Sequence, residues 1–227
     1  MSTIQANLIE PSSGTTVTLG ASGDTVAVGS GATTSGFAAG LNSVQTFTSS
    51  GTWTRPSGIT KVIMEVQAAG GGGGGGAGAG QGCGAGAGAY AKKFLDVSAV
   101  SSSTITVGAA GAAGASGGST GGAGGVSSWA DGGTTVSSAG GNAGTGGVGG
   151  PSGTPSAATG GDINISGNPG TYRNDGGNGC DSMMGVGGTT NGGAQPSVGY
   201  GAGGCGANAN AAGKIGMAGI VIVWEYK

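Results

Sequence analysis

Glycine recurs at every third position over long stretches of this chain. Gly108, Gly111, Gly114 and Gly117 are three apart, as are Gly141, Gly144, Gly147, Gly150 and Gly153, and again Gly213, Gly216 and Gly219. A period of three matches polyproline-II geometry, which has three residues per turn and no internal hydrogen bonds, so one edge of each tract carries no side chain. Backbones can approach along that bare edge. Amide and carbonyl groups that a lone tract would give to water can then bond to neighbouring tracts. A tract of about twelve residues extends roughly 37 Å at about 3.1 Å per residue, so the expected product is a stiff slab with loops at its ends. Collagen shares the period but needs long unbroken triplets and abundant proline, whereas this chain has six Pro and its triplets stop after four or five repeats. A flexible linker of Gly, Ser and Ala needs no threefold register.

Composition sharpens this expectation. Glycine supplies 61 of 227 residues, while Ile, Leu, Val and Phe supply 10, 4, 16 and 3, too few to build an ordinary core throughout. Scarce aliphatic residues signal disorder mainly when net charge is high, and here the formal charge is only −2. The seven Lys and Arg are scattered, which argues against nucleic-acid binding. No apolar run approaches the ~18 residues of a membrane span, and residues 1–10 lack a charged region followed by an apolar one. The chain therefore reads as neither membrane-inserted nor Sec-secreted.

Histidine is absent, which removes the commonest general base and the commonest metal ligand together. Cys83, Cys180 and Cys205 form no CxxC pair, so no zinc site is expected. They read as small residues packed among glycines; Cys83 and Cys205 could also meet, since GCGAG and GCGAN surround them. No cofactor is implied. No glycine tract is followed by the Lys-Ser/Thr of a P-loop.

Strand signals lie between the tracts. TVTLG at 16–20 and TVAVG at 25–29 alternate like short β-segments, and pieces this short are most easily stabilised by the same segment of neighbouring subunits; a flexible arm is the alternative. Residues 1–43 are accordingly read as an N-terminal oligomerisation segment, to which the resemblance given below adds attachment, and 44–227 as the main domain. Phe47 and Trp53 suit a half-buried strand before the turn at 55–58, and ITKVIMEVQA at 59–68 sets Val62, Met64 and Val66 on one apolar face. Further strands are expected at 90–97, 104–107, 126–129, 134–137, 162–165 and 219–226. The last, GIVIVWEY, is the most apolar run and should be a central strand pairing with 59–66. Trp53 and Trp224 are expected to be buried, and Trp129 and Asp131 to mark a strand end with its turn.

Three pieces in order carry a resemblance. FTSSGTWTRPSGITKVIMEVQAAGGGGGGGAGAG resembles the opening of the glycine-rich domain of bacteriophage tail-fibre and fibre-tip proteins, GAYAKKFLDVSAVSSSTITVGAAG its second strand pair, and GKIGMAGIVIVWEYK its terminal strand. A more distant likeness runs to the glycine-rich domain of the anaplastic lymphoma kinase ectodomain and to the glycine-rich adhesins on long tail fibres of T-even-like phages, and the leader is similar to repeats in fibres of marine phages. The fold implied is all-β, an antiparallel β-sandwich combined with packed polyglycine-II helices behind a short β-rich N-terminal oligomerisation segment. The function implied is host-surface recognition on the virion, by a homotrimer docked through residues 1–43 to a phage tail or capsid protein, with a host glycan or outer-membrane protein as receptor.

Recognition residues are expected on loops held by a stiff scaffold. The richest loop is 168–200, which holds Tyr172, Arg173, Asn174, Asp175, Asp181, Met183, Met184 and Tyr200 in a chain poor in large side chains, and clustered aromatic and Arg residues are a binding signature. Tyr172, Met183 and Met184 could instead fill gaps between sheet and slab. The loop at 151–162 reads as a solvated turn. Paired carboxylates such as Asp175 and Asp181 can cleave glycosidic bonds, but nine acids give many accidental pairs, and the chain reads as no enzyme. The alternative to an adhesin is a purely structural virion component, a capsid fibre or connector without a receptor site.

Overall fold

A computed structural model describes residues 40–147, 155–190 and 195–227. The chain divides into two units, Met1–Ala38 and Ala39–Lys227. The strand-like pieces at 16–20 and 25–29, and Gly150 and Gly153, lie outside the described residues. Among those described, every regular element is a strand: β1 (Leu41–Phe47), β2 (Gly51–Thr54), β3 (Lys61–Gln67), β4 (Tyr90–Asp96), β5 (Ser102–Thr106), β6 (Ser127–Ala130), β7 (Thr135–Ser138), β8 (Ala158–Thr159), β9 (Ile163–Ile165), β10 (Met184–Val186), β11 (Val198–Tyr200) and β12 (Ile220–Tyr226). They form a five-stranded sheet in the order β1-β12-β3-β4-β9, a second in the order β2-β5-β6-β7-β8, and the separate pair β10-β11. All pairings are antiparallel.

The expected partnership of the C-terminal run with residues 59–66 is present: Val223 lies opposite Met64 and Val221 opposite Val66. Burial alternates along β3, with Val62, Met64 and Val66 inside. These residues share one apolar cluster with Val221 and Val223 and with Trp53, Ile105, Trp129 and Val136 of the second sheet. The rings of Trp53 and Trp129 lie 4.9 Å apart at 47°, a tilted contact that aromatic quadrupoles favour. Phe47 and Trp53, read as one strand region, fall on strands of different sheets, because the exposed Ser49-Ser50 corner carries the chain across. Trp224 corrects the expectation of burial, since it is half-buried on the outer face; alternation along β12 turns Val223 and Glu225 inward and Trp224 outward. Glu225, fully buried, accepts hydrogen bonds from Trp53 Nε1 (2.7 Å), Gln45 Nε2 (2.7 Å) and Ser43 Oγ (2.5 Å). Asp131 closes the turn after β6. Burial opposes its ionisation, yet hydrogen bonds from the amides of Thr134 and Gly133 and from the Trp129 indole hold its carboxyl below the usual range.

Beyond the sheets, glycine tracts replace side-chain packing with backbone bonds. Along 70–76 the donors rotate with a period of three. Gly70, Gly73 and Gly76 donate to Met217, Lys214 and Ala211; Gly71 and Gly74 to Gly86 and Cys83; Gly72 and Gly75 to Gly122 and Ser119. The carbonyls of the same tract accept in the same rotation. Gly111, Gly114 and Gly117 donate to Gly70, Gly73 and Gly76; Gly144 and Gly147 to Gly72 and Gly75; Gly204 and Ala207 to Gly71 and Gly74. One extended tract is thus bonded to six flanking segments, and Gly111, Gly114, Gly117, Gly144 and Gly147, spaced by three in the sequence, are among those that donate to it. A second tract, 82–89, repeats the rotation toward 201–207, 139–145 and 168–171. The contacts leave no room for a side chain: a Cβ on Gly72 would lie 1.8 Å from the Ala112 carbonyl oxygen.

The seam between sheet and tracts is polar. Buried Gln67, the last residue of β3, donates from Nε2 to the carbonyls of Ala68, Gly88 and Ala89 at 3.1, 2.9 and 3.2 Å. The Ser138 hydroxyl donates to the Val66 carbonyl, and the Ser127 hydroxyl accepts from the Gly108 amide.

Candidate functional site

Residues 168–200 are anchored in the glycine tracts at several points. Gly84 and Ala87 donate to the carbonyls of Thr171 and Asn168, Gly177 donates to Gly82, and Cys180 donates to Ala85. Between these anchors β10 and β11 form an antiparallel pair whose registered partners are Met184 with Tyr200, Gly185 with Gly199 and Val186 with Val198. The glycine pair at the centre leaves a bare backbone floor, and Gly199 has φ +81°, a conformation side chains disfavour.

Local polar bonds fix the hairpin's feet. The Asp181 carboxylate accepts the Gly187 amide at 2.7 Å; Ser182 Oγ donates to the Tyr200 carbonyl and accepts from the Met184 amide. The next step on each side joins the tract at 201–207 again, Gly188 donating to Gly203 and Gly203 donating to Cys180. Met183, Val186 and Val198 stand 58%, 57% and 56% exposed. With Asp181, Ser182 and Met184 they border an open depression of about 440 Å³. A smaller hollow of about 110 Å³ adjoins it, sharing Asp181, Ser182 and Met183 and adding Tyr90, Asn168 and Ile165. An apolar rim over a bare floor, with a carboxylate and a hydroxyl at one end, can bury an apolar group and hold a polar one beside it.

The loop expected to carry recognition therefore resolves into two places. Asp181, Met183 and Met184 line the depression, and Tyr200 pairs behind it with Met184. Tyr172, Arg173, Asn174 and Asp175 line neither hollow; they form an exposed turn, with Arg173 Nε 4.0 Å from the Asp175 carboxylate. Met183 is exposed rather than filling a gap, and so is Tyr172. Val186, Val198 and Ser182 are absent from the sequence expectation, although the matched Gly-centred triplets Met-Gly-Val and Val-Gly-Tyr mark the hairpin. The thiols do not meet in a bond. No disulfide joins Cys83, Cys180 and Cys205, and burial pushes the Cys180 and Cys205 thiols upward. Among the described residues no group of three His, Cys, Asp or Glu could hold a metal ion, and no helix is long and apolar enough to cross a membrane.

A family model described as a glycine-rich domain matches residues 42–226. The chain belongs to this glycine-rich domain family. The match begins within β1 and ends at the last residue of β12, so the glycine-rich domain includes both sheets, the tracts and the hairpin. A comparison with curated proteins finds no match to the chain.

Proposed function

We propose that this glycine-rich domain is the host-recognising tip of a bacteriophage fibre. In this reading the two sheets form a β-sandwich, the tracts are polyglycine-II helices packed side by side, and the resulting slab holds residues 168–200 against the host surface. Residues 1–43 trimerise the chain and dock it to a tail or capsid protein of the virion, and the receptor is a host glycan or outer-membrane protein. The observation that carries the reading is the hairpin: an exposed apolar rim of Met183, Val186 and Val198 whose feet are bonded into backbone on both sides. Apolar side chains displayed on a rigid base lose water but little conformational freedom on contact, which is what a binding loop requires. The rotation of hydrogen bonds along 70–76 and 82–89 supports the polyglycine-II assignment, since three residues per turn is its period.

The test is binding of the fluorescently labelled full-length chain to a panel of bacterial strains. The triple variant Met183→Asp, Val186→Asp, Val198→Asp should lose binding by at least about tenfold, since burial of each large apolar side chain is worth about 1.5–3 kcal/mol, while Tyr172→Ala and Arg173→Ala measure the second turn separately. Undiminished binding by all of these variants would reject recognition by 168–200. A chain that binds no strain yet is required for particle assembly would favour the structural component.

A further inference from the structure

The outer face of the first sheet carries an apolar row and further apolar residues where an antiparallel sheet with one solvated face is expected to be polar. The register sets Val44, Trp224, Ile63 and Phe94 side by side across β1, β12, β3 and β4. The next row is Thr46, Ile222, Glu65, Lys92 and Ile163. Phe94 and Ile163 are 52% and 53% exposed, and Val44 is also exposed. On β12 the run IVIVW is apolar on both faces, the pattern of a strand covered on both sides.

The charges on this face are already matched. Lys92 Nζ lies 3.1 Å from Glu65 Oε1, and Lys61 stands opposite Asp96. The face therefore needs no complementary charge from its occupant. A hollow of about 220 Å³ lies among Ile63, Glu65, Lys92, Trp224 and Tyr226, and exposed Phe94 stands on the other side of Ile63. Ile63 is one strand from Trp224 and one strand from Phe94, about 4.8 Å each way.

We propose that this face pairs two copies of the chain, with Ile63 on the two-fold axis. Rotation about Ile63 brings Phe94 of each copy over the Trp224 hollow of the other, the reciprocal contact of a two-fold interface. The same rotation brings Val44 toward the β9 side of the second copy, near Ile163. Five strands about 4.8 Å apart and seven residues of about 3.4 Å each give a face of at most about 24 by 24 Å, or roughly 500 Å² per copy after allowing for short β9. Two such faces bury about 1,000 Å², the lower bound for a specific interface. The contact is independent of host recognition by residues 168–200, and with a trimer held by residues 1–43 it pairs chains of two different trimers.

Photo-crosslinking of the full-length chain tests it. Phe94 is replaced by benzoylphenylalanine in isotopically light chains mixed with heavy ones. Light-to-heavy products should map to Trp224, Tyr226 or Ile63, and Trp224→Arg in the heavy chain should cut their yield about tenfold. A second probe at Val44 should map to the β4–β9 side, around Ile163. Products confined within one chain from both probes would give the face to a different molecule and overturn the pairing, as would between-copy products falling on residues 1–39 or 168–200.

Discussion

Tyr90 stands in β4 opposite both Gln67 and Ile165, at the corner where the first sheet meets the glycine tracts. Burial, with the Glu65 carboxylate beside it and accepting its hydrogen bond, pushes the phenol up to about 12. Its ordinary value is about 10. The sign follows from linkage: a group whose pKa is raised by folding contributes stability that is complete below the unfolded value and is lost as pH rises through the folded one. The denaturation midpoint should therefore fall between about pH 10 and 12, and Tyr90→Phe should flatten that fall while leaving the midpoint near pH 7 within about 1 kcal/mol of the parent. Equal alkaline slopes in parent and variant would show that the phenol is not the group responsible. Asp96 and Asp162 work in the opposite direction. Asp96 is held low by hydrogen bonds from Ser98, and Asp162 by the Phe94 amide and Lys93, so their contributions are present above the ordinary carboxylate range and disappear as pH falls.

At the scale of the element, the tracts and the strands tolerate substitution in opposite ways. A strand residue such as Gly51 has open space around it, with nothing within 4 Å of an added Cβ. Gly72 and Gly75 face carbonyl oxygens of Ala112 and Ala115 that an added Cβ would meet at 1.8 Å. No rotamer can relieve such a contact, because both partners are backbone. Relief requires separating tracts, which breaks a row of hydrogen bonds, each worth about 1 kcal/mol net and more when left buried and unpaired. Gly72→Ala should thus cost more than about 3 kcal/mol by denaturant melting, or leave the domain unfolded, whereas Gly51→Ala should lie within about 1 kcal/mol of the parent. A mild effect at Gly72 would mean that the tracts are not locked by backbone contact. The hairpin is tied to the same lattice. Its flanking amides at Gly187 and Gly188 are bonded, but its rim is apolar and open, so anchored backbone coexists with exposed side chains.

The whole molecule divides its stability between a conventional core and a lattice of peptide groups. Unfolding the core exposes apolar surface, which raises heat capacity, while unfolding the tracts exposes mostly polar backbone, which lowers it. The heat capacity of unfolding per residue should fall below the usual 12–15 cal/mol/K, to about 10 or less, and scanning calorimetry of the full chain measures it directly. An ordinary value would assign the stability to side-chain burial. Much of this organisation is legible in the sequence. The threefold glycines at 108–117 and 213–219 mark the donors of the lattice, since a three-residue period leaves one bare edge and only that edge can approach another backbone. Alternation in KVIMEVQ and the apolar run IVIVW mark the core strands for an equally local reason, because side-chain direction is set by the pleat. Which tract lies beside which was decided only by tertiary structure: every glycine has the same featureless edge, so 70–76 could in principle bond any of its six neighbours in another order. The same holds for the site. Sequence placed the large side chains of 168–200 in one loop, but the pairing of Gly185 with Gly199 separated them into a hairpin rim and an exposed turn at 172–175 that does not line it, because a pairing register depends on where the two strands are anchored and not on what they contain.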